Sequence, residues 1–241
     1  MAKIQRMFTS WSFSRLNDYR QCPAKAKYKH LLKLPEPSNK AMERGNAIHK
    51  VAENYIKGLL PPKMPDELSK FADLFKTLRA KYKKKIPAMH VEGSLAFTRA
   101  WDETRWDDWD NCWLRIKVDC ADHETLTTLD VYDWKTGKVS TSRQEEYVEQ
   151  LELYALGGLL AFKHIKTVKP KLVYLDHKVV YPTAPADVKK LTFTRKDIPM
   201  LTKTWITRTD AMFNDEVFAP RPSDQCRWCH YRKSNGGPCQ Y

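Results

Sequence analysis

The sequence predicts an α/β fold: a central, mainly mixed β-sheet flanked by helices, with a helical N-terminal region and a cysteine-rich C-terminal tail. Three observations carry this. Apolar residues recur at helical spacing through the first third of the chain and alternate at strand spacing across its middle. The last stretch is broken up by Pro220, Pro222 and Gly236-Gly237-Pro238. With 241 residues, 42% of them hydrophobic, the chain can fill one large core, so 1–241 reads as a single domain.

Ser12 to about Leu34 is helix-compatible, with Ser12 or Ser14 as N-cap and Pro35 and Pro37 as stops. Pro23 divides this stretch, because its ring fits the first turn of a helix and not the interior. A helix from about Ala41 to Ile56 places Ile48, Val51, Ala52 and Tyr55 on one face, and Gly58, Pro61 and Pro62 end it. Another, from Asp66 to about Lys85, carries Leu68, Phe71, Leu74, Phe75 and Leu78; its Lys81, Lys83, Lys84 and Lys85 suit a helix C-terminus and need no DNA to explain them. Strands are expected over Val91–Arg99, Cys112–Ala121 and Leu126–Trp134, then a helix from about Arg143 to Lys163. The segment Lys171–Val180 reads as one strand, partly exposed or at an edge because of its lysines. Thr194 and Asp197 form the pattern of a capping box for a last long helix reaching about Phe213.

A net charge of +13 favours a polyanionic partner, nucleic acid first, without naming a reaction. The N-terminus lacks a secretory pattern, and no stretch reaches the roughly 20 apolar residues of a bilayer span. The expectation is a cytoplasmic protein, in a bacterial or phage-infected cytosol, with reduced cysteines and no membrane partner.

Asp133-Trp134-Lys135 closes a predicted strand, so Asp133 and Lys135 share a face and Trp134 points away. If the preceding strand pairs with it as a hairpin, Asp119 and Asp133 converge into an oxygen-rich pocket suited to Mg2+ or Mn2+. Phosphodiester hydrolysis needs this inventory: carboxylates to hold a cation, and a lysine to position water or to neutralise charge on the phosphate. An acid and a base close many strands, so the pair gains weight only from its surroundings. On the following helix, Gln150 and Tyr154 fall one turn apart, able to orient the lysine or bond phosphate; the alternative is a core tyrosine and a solvated glutamine. His49, four residues after Gly45, offers an imidazole ligand. The alternative is a solvent-facing His49 paired with Glu53.

Taken in order, Gly45-x3-His49, Glu92, Asp119, Asp133-x-Lys135 and Gln150-x3-Tyr154 resemble the RecB-like branch of the PD-(D/E)XK nucleases, which includes CRISPR-associated nucleases and the AddB nuclease domain. The resemblance implies a restriction-endonuclease-like fold and metal-dependent cutting of single-stranded DNA or DNA ends, in recombination, repair or phage DNA processing. A helicase or recombination partner is left open. It implies Asp119, Asp133, His49 and the Trp134 carbonyl as metal ligands, Lys135 as catalytic and Gln150 and Tyr154 as support. Glu92 matches an acidic position on an early strand, with a structural carboxylate as the equal alternative. Ile116 stands where the family often has glycine. A catalytically inactive DNA-end-binding protein and a zinc-containing nucleic-acid binder are the competing functions.

Cys226-x2-Cys229 and Cys239 offer three thiolates in the tail. The same resemblance supplies Cys22 as a fourth and implies a 4Fe-4S cluster tying the chain ends together, with tetrathiolate Zn2+ as the rival. Arg20, Arg227, Arg232 and Lys233, nearby in sequence, are then candidate DNA contacts. Cys112 and Cys120 are expected in the core.

Overall fold

The computed structural model describes residues 7–84, 89–140 and 143–241. Helix α1 (Phe13–Gln21) is capped by Ser12, whose side chain accepts the Arg15 N–H. Cys22 breaks it in extended conformation, and α2 (Pro23–Ala26) restarts with proline at its first position, running on into a π-helical turn, Lys27–Leu31. Helix α3 (Lys40–Ile56) is capped by Asn39. The expected helix from Asp66 is a 3-10 turn, Asp66–Phe71, followed by α4 (Ala72–Lys83); Lys85 lies outside the described residues.

The sheet contains β1 (His90–Phe97), β2 (Leu114–Thr125), β3 (Thr128–Lys135), β4 (Thr167–Tyr174), β5 (Val179–Tyr181) and β6 (Phe193–Thr194). Its order is β1-β2-β3-β4-β5, with β6 also on β4; β3 and β4 are parallel and the other pairs antiparallel. The parallel step needs a crossover, which α5 (Gln144–Ala161) provides. After the short α6 (Pro185–Lys190), the Thr194–Asp197 capping box forms and leads into α7 (Ile198–Asn214).

An apolar core lies on each face of this sheet. On one, Leu129, Val131 and Leu172 meet α5, whose second half, residues 153–160, is buried on every side because α7 covers its back. On the other, Tyr132, Trp134 and Val173 meet Ile48, Ala52 and Tyr55 of α3 and Phe75 and Leu78 of α4. Cys120 is wholly buried here and Cys112 is buried before β2.

One expectation is corrected. Residues 171–180 are not a single strand: β4 lies inside the sheet and turns back at 175–178 into β5, which forms the edge expected for part of the segment. The half-buried lysines of β4 are ion-paired, Lys171 Nζ lying 2.8 Å from Asp130 Oδ2 and Lys169 Nζ 2.7 Å from Glu124 Oε2. Among the described residues no helix is long and apolar enough to cross a membrane.

Candidate active site

The β2–β3 register pairs Cys120 with Tyr132 and Ala121 with Val131, and one step further it sets Asp119 opposite Asp133. On the other edge of β2, the β1 register likewise sets Glu92 opposite Asp119. Glu92 has φ 55°, a left-handed conformation uncommon for a side chain other than glycine. Asp119 thus stands where both ladders are interrupted, and its Oδ2 accepts the Trp134 N–H at 2.6 Å. Its Oδ1 lies 3.1 Å from His49 Nδ1, so the histidine of α3 turns to the sheet. The alternative of a solvated His49 paired with Glu53 fails, because Glu53 is taken by Lys50 and Lys57.

Asp133 and Lys135 share the α5 face of β3, while Trp134 stacks against Tyr132 and Phe75 on the other. Lys135 Nζ is 2.5 Å from Asp133 Oδ2 and donates to Gln150 Oε1 at 3.0 Å. The Tyr154 hydroxyl donates to Asp133 Oδ1 at 2.5 Å and accepts from Gln150 Nε2 at 2.8 Å. Gln150 and Tyr154 therefore bind the aspartate-lysine pair as a unit, and the alternative of a merely solvated Gln150 does not describe it. Gly45 lets α3 come close to the turn after Lys135, since a Cβ there would stand 3.3 Å from Thr136 Oγ1.

The electrostatics are those of a site with excess negative charge. Burial raises the Asp119 carboxyl, and the charge of Asp133 adds to this against the His49 hydrogen bond. Burial likewise raises Glu92, with Asp119 adding. For His49, burial pulls the imidazole down, but the Asp119 hydrogen bond and charge outweigh it and the net shift is upward. The candidate ligand atoms of His49, Glu92 and Asp119 all lie within 4.8 Å of one another. Asp133 Oδ2 is buried without a hydrogen-bond donor among the described residues, its lysine contact being ionic only. A divalent cation fits this donor set: hard oxygens plus one imidazole, with carboxylates whose mutual repulsion it would relieve.

The sequence profile of the PD-(D/E)XK nuclease superfamily matches residues 10–234. The chain belongs to that superfamily. Among solved structures, a candidate exonuclease from Eubacterium rectale is similar at 12% identity and TM-score 0.49, over 93% of this chain and 88% of the other. The protein SSO0001 is similar at 14% identity and TM-score 0.36, over 92% and 84%. A search of curated proteins finds no match.

In this PD-(D/E)XK chain the second constellation lies apart from the carboxylates. Cys22, Cys226, Cys229 and Cys239 line one cavity, between the α1–α2 junction and the tail. Backbone N–H groups of Arg221 and Ser223 donate to the sulfurs of Cys22 and Cys226 at 3.4 and 3.3 Å, as anionic sulfur ligands favour. The tail forms only 3-10 turns, Asp224–Trp228 and Lys233–Asn235. Of the basic residues picked from the sequence, Arg20 is ion-paired with Glu149 of α5 and Arg227 with Asp224; Arg232 is half-buried and Lys233 exposed. None of the four is brought to Asp133 or Lys135. Sequence reasoning missed how closely Glu92 is drawn in, because its only special mark is a backbone conformation that composition and spacing do not encode.

Proposed function

We propose that this PD-(D/E)XK chain is a metal-dependent deoxyribonuclease, a single-domain exonuclease that hydrolyses phosphodiester bonds of single-stranded DNA or DNA ends. The observation that carries this is the juxtaposition of a buried aspartate paired to a half-buried lysine, bracketed by Gln150 and Tyr154, with the His49–Glu92–Asp119 cluster across one strand. Asp119, Asp133, His49 and Glu92, with the Trp134 carbonyl, are the residues that would hold Mg2+ or Mn2+. When bound, such an ion supplies an activated water and neutralises charge growing on the phosphate. Lys135, aimed by its contacts with Asp133 and Gln150, meets the phosphate as a fixed positive charge. Tyr154 positions Asp133, and Gln150 positions Lys135.

The four thiols Cys22, Cys226, Cys229 and Cys239 hold a 4Fe-4S cluster that fastens the tail to the N-terminal helices. Recombination, repair or phage DNA processing in the cytoplasm is the setting that fits, with unwinding left to a partner. End-labelled DNA incubated with the protein tests the cutting: we expect shortening that requires manganese or magnesium and is lost in Lys135→Ala. Binding without cutting in either metal would leave a DNA-end-binding protein, and cutting by Lys135→Ala would remove that residue from its role. Protein purified without oxygen should be brown, with iron and sulfide in similar amounts; a colourless chain holding one zinc would replace the cluster with a zinc site.

A further inference from the structure

A cavity of about 370 Å³ opens between the first turn of α1 and the 98–113 connection, and Gln150 and Tyr154 form its inner wall. Those two side chains are hydrogen-bonded to Lys135 and Asp133, so the cavity ends at the candidate active site. It is large enough for a small ligand, since such pockets run from about 300 to 1,000 Å³. Three cations line it, Arg15, Arg115 and Lys117, and no carboxylate does. Among the described residues none of the three forms an ion pair. Arg15 and Arg115 instead converge on one neutral group, the Ser10 hydroxyl, at 3.1 and 3.0 Å. Two guanidinium groups meeting at a hydroxyl leave positive charge unanswered. Beyond burial, the largest influence on Arg15 is the repulsion of Arg115, which lowers its pKa.

The remaining wall is aromatic. Arg115 lies over two rings, 5.7 Å from the centroid of Trp106 and 4.7 Å from that of Trp109, and donates to the Trp106 carbonyl at 3.1 Å. The half-buried Trp106 faces the cavity, while Trp109 is 75% exposed outside it. The cavity flanking α1 near Arg20 instead mixes charges, with Asp18, Glu145, Glu146 and Glu149 beside Arg20 and Arg143 in its walls. A phosphate is drawn to the first more strongly than to the second.

We propose that the cavity between α1 and the 98–113 connection is a nucleotide subsite for unpaired DNA, in which Trp106 stacks a base and Arg15, Arg115 and Lys117 hold the adjoining phosphate. This rests on the reading of the centre as a DNA nuclease. A recess that sets aromatic rings beside a cluster of cations matches how single strands are gripped, base on ring and backbone on charge. A base inside a duplex is stacked on its neighbours and cannot reach Trp106 without being flipped out. The subsite therefore selects unpaired DNA at the point where it enters the site.

The test is binding of a fluorescent oligothymidine to the full chain carrying Lys135→Ala, which prevents turnover, with a blunt duplex of equal length for comparison. Adding Trp106→Ala should weaken oligothymidine binding about tenfold, while Trp106→Phe retains most of it. Adding Lys117→Ala, at an exposed position, should reduce the slope of log affinity against log salt by about 0.7, one phosphate contact on a single strand. Duplex binding should be weaker and indifferent to Trp106. Unchanged oligothymidine affinity in both Trp106 variants, an unchanged slope with Lys117→Ala, or duplex binding as tight as single-strand binding would each overturn the subsite. Cutting is measured separately on the Lys135 parent: a chain that binds through Trp106 and Lys117 yet never cuts supports the subsite and sinks the nuclease reading. One that cuts while the substitutions leave binding untouched does the reverse.

Discussion

The carboxylate centre and the thiol-lined tail are held by different means. At the centre, Asp119, Asp133, His49, Gln150 and Tyr154 come from β2, β3, α3 and α5, and each is fixed by a ladder or by one of two apolar cores. At the tail, the chain is joined to the N-terminal region by individual contacts: Phe218 against Phe8 and Tyr19, Tyr231 against Tyr28, the Tyr231 hydroxyl on the Leu34 carbonyl, and Arg221 on Cys22 and the Arg20 carbonyl. With this support the centre is expected to keep its geometry whether or not an ion is bound, whereas the tail, on the cluster reading proposed above, is expected to depend on what its thiols hold.

The sharpest way to break this comparison is to disable each region and ask what else changes. Asp119→Asn should reduce DNA cleavage by about a thousandfold, the scale of losing a preorganised electrostatic group, while thermal unfolding stays within a few degrees. Cys226→Ser should do the converse, lowering the unfolding midpoint by roughly 5–10 °C and exposing the chain beyond residue 218 to protease before the sheet yields; a loss of about 2–3 kcal/mol in a chain this size has that effect. A Cys226→Ser protein that melted like the parent would show the tail to be self-supporting.

Gly157→Ala probes the packing behind the centre. A Cβ there would stand 2.7 Å from Ile116 Cδ1, so calorimetry should find about 1–3 kcal/mol lost by overpacking, with Ile116→Val, which deletes that atom, restoring most of it. The smallest effect belongs to the N-terminal side of the tail contact. Burial acts to raise the Asp18 carboxyl, but His30, Lys25 and Lys29 outweigh it and hold it well below the ordinary carboxylate range. A depressed folded value gives stability that is complete above the unfolded pKa of about 4 and lost as pH falls below it. Denaturant midpoints between pH 5 and 3 should therefore fall less steeply in Asp18→Asn than in the parent.

Much of this arrangement was legible in the residues. Period-3.6 apolar positions placed α3 and α4, Thr194 and Asp197 announced their cap, and the two-residue spacing of Asp133 and Lys135 fixed their common face. The β4–β5 hairpin was not legible, because its turn, Leu175-Asp176-His177-Lys178, has neither glycine nor proline and Lys178 takes φ 55°. The partners of Arg20 and of Lys171 were equally hidden, since Glu149 and Asp130 are remote in sequence and meet them only through tertiary packing. The close packing of Ile116 on Gly157 of the facing helix was equally unmarked in the residues.

Asp176, in that unmarked turn, reaches further than its position suggests. Its carboxylate grips Arg44 of α3 by two hydrogen bonds and the Gly137 N–H by a third, which together hold its pKa at about 2. One surface residue thus links the helix that bears His49 to the strand end that bears Lys135, as a clasp across a jaw that the core beneath has already closed.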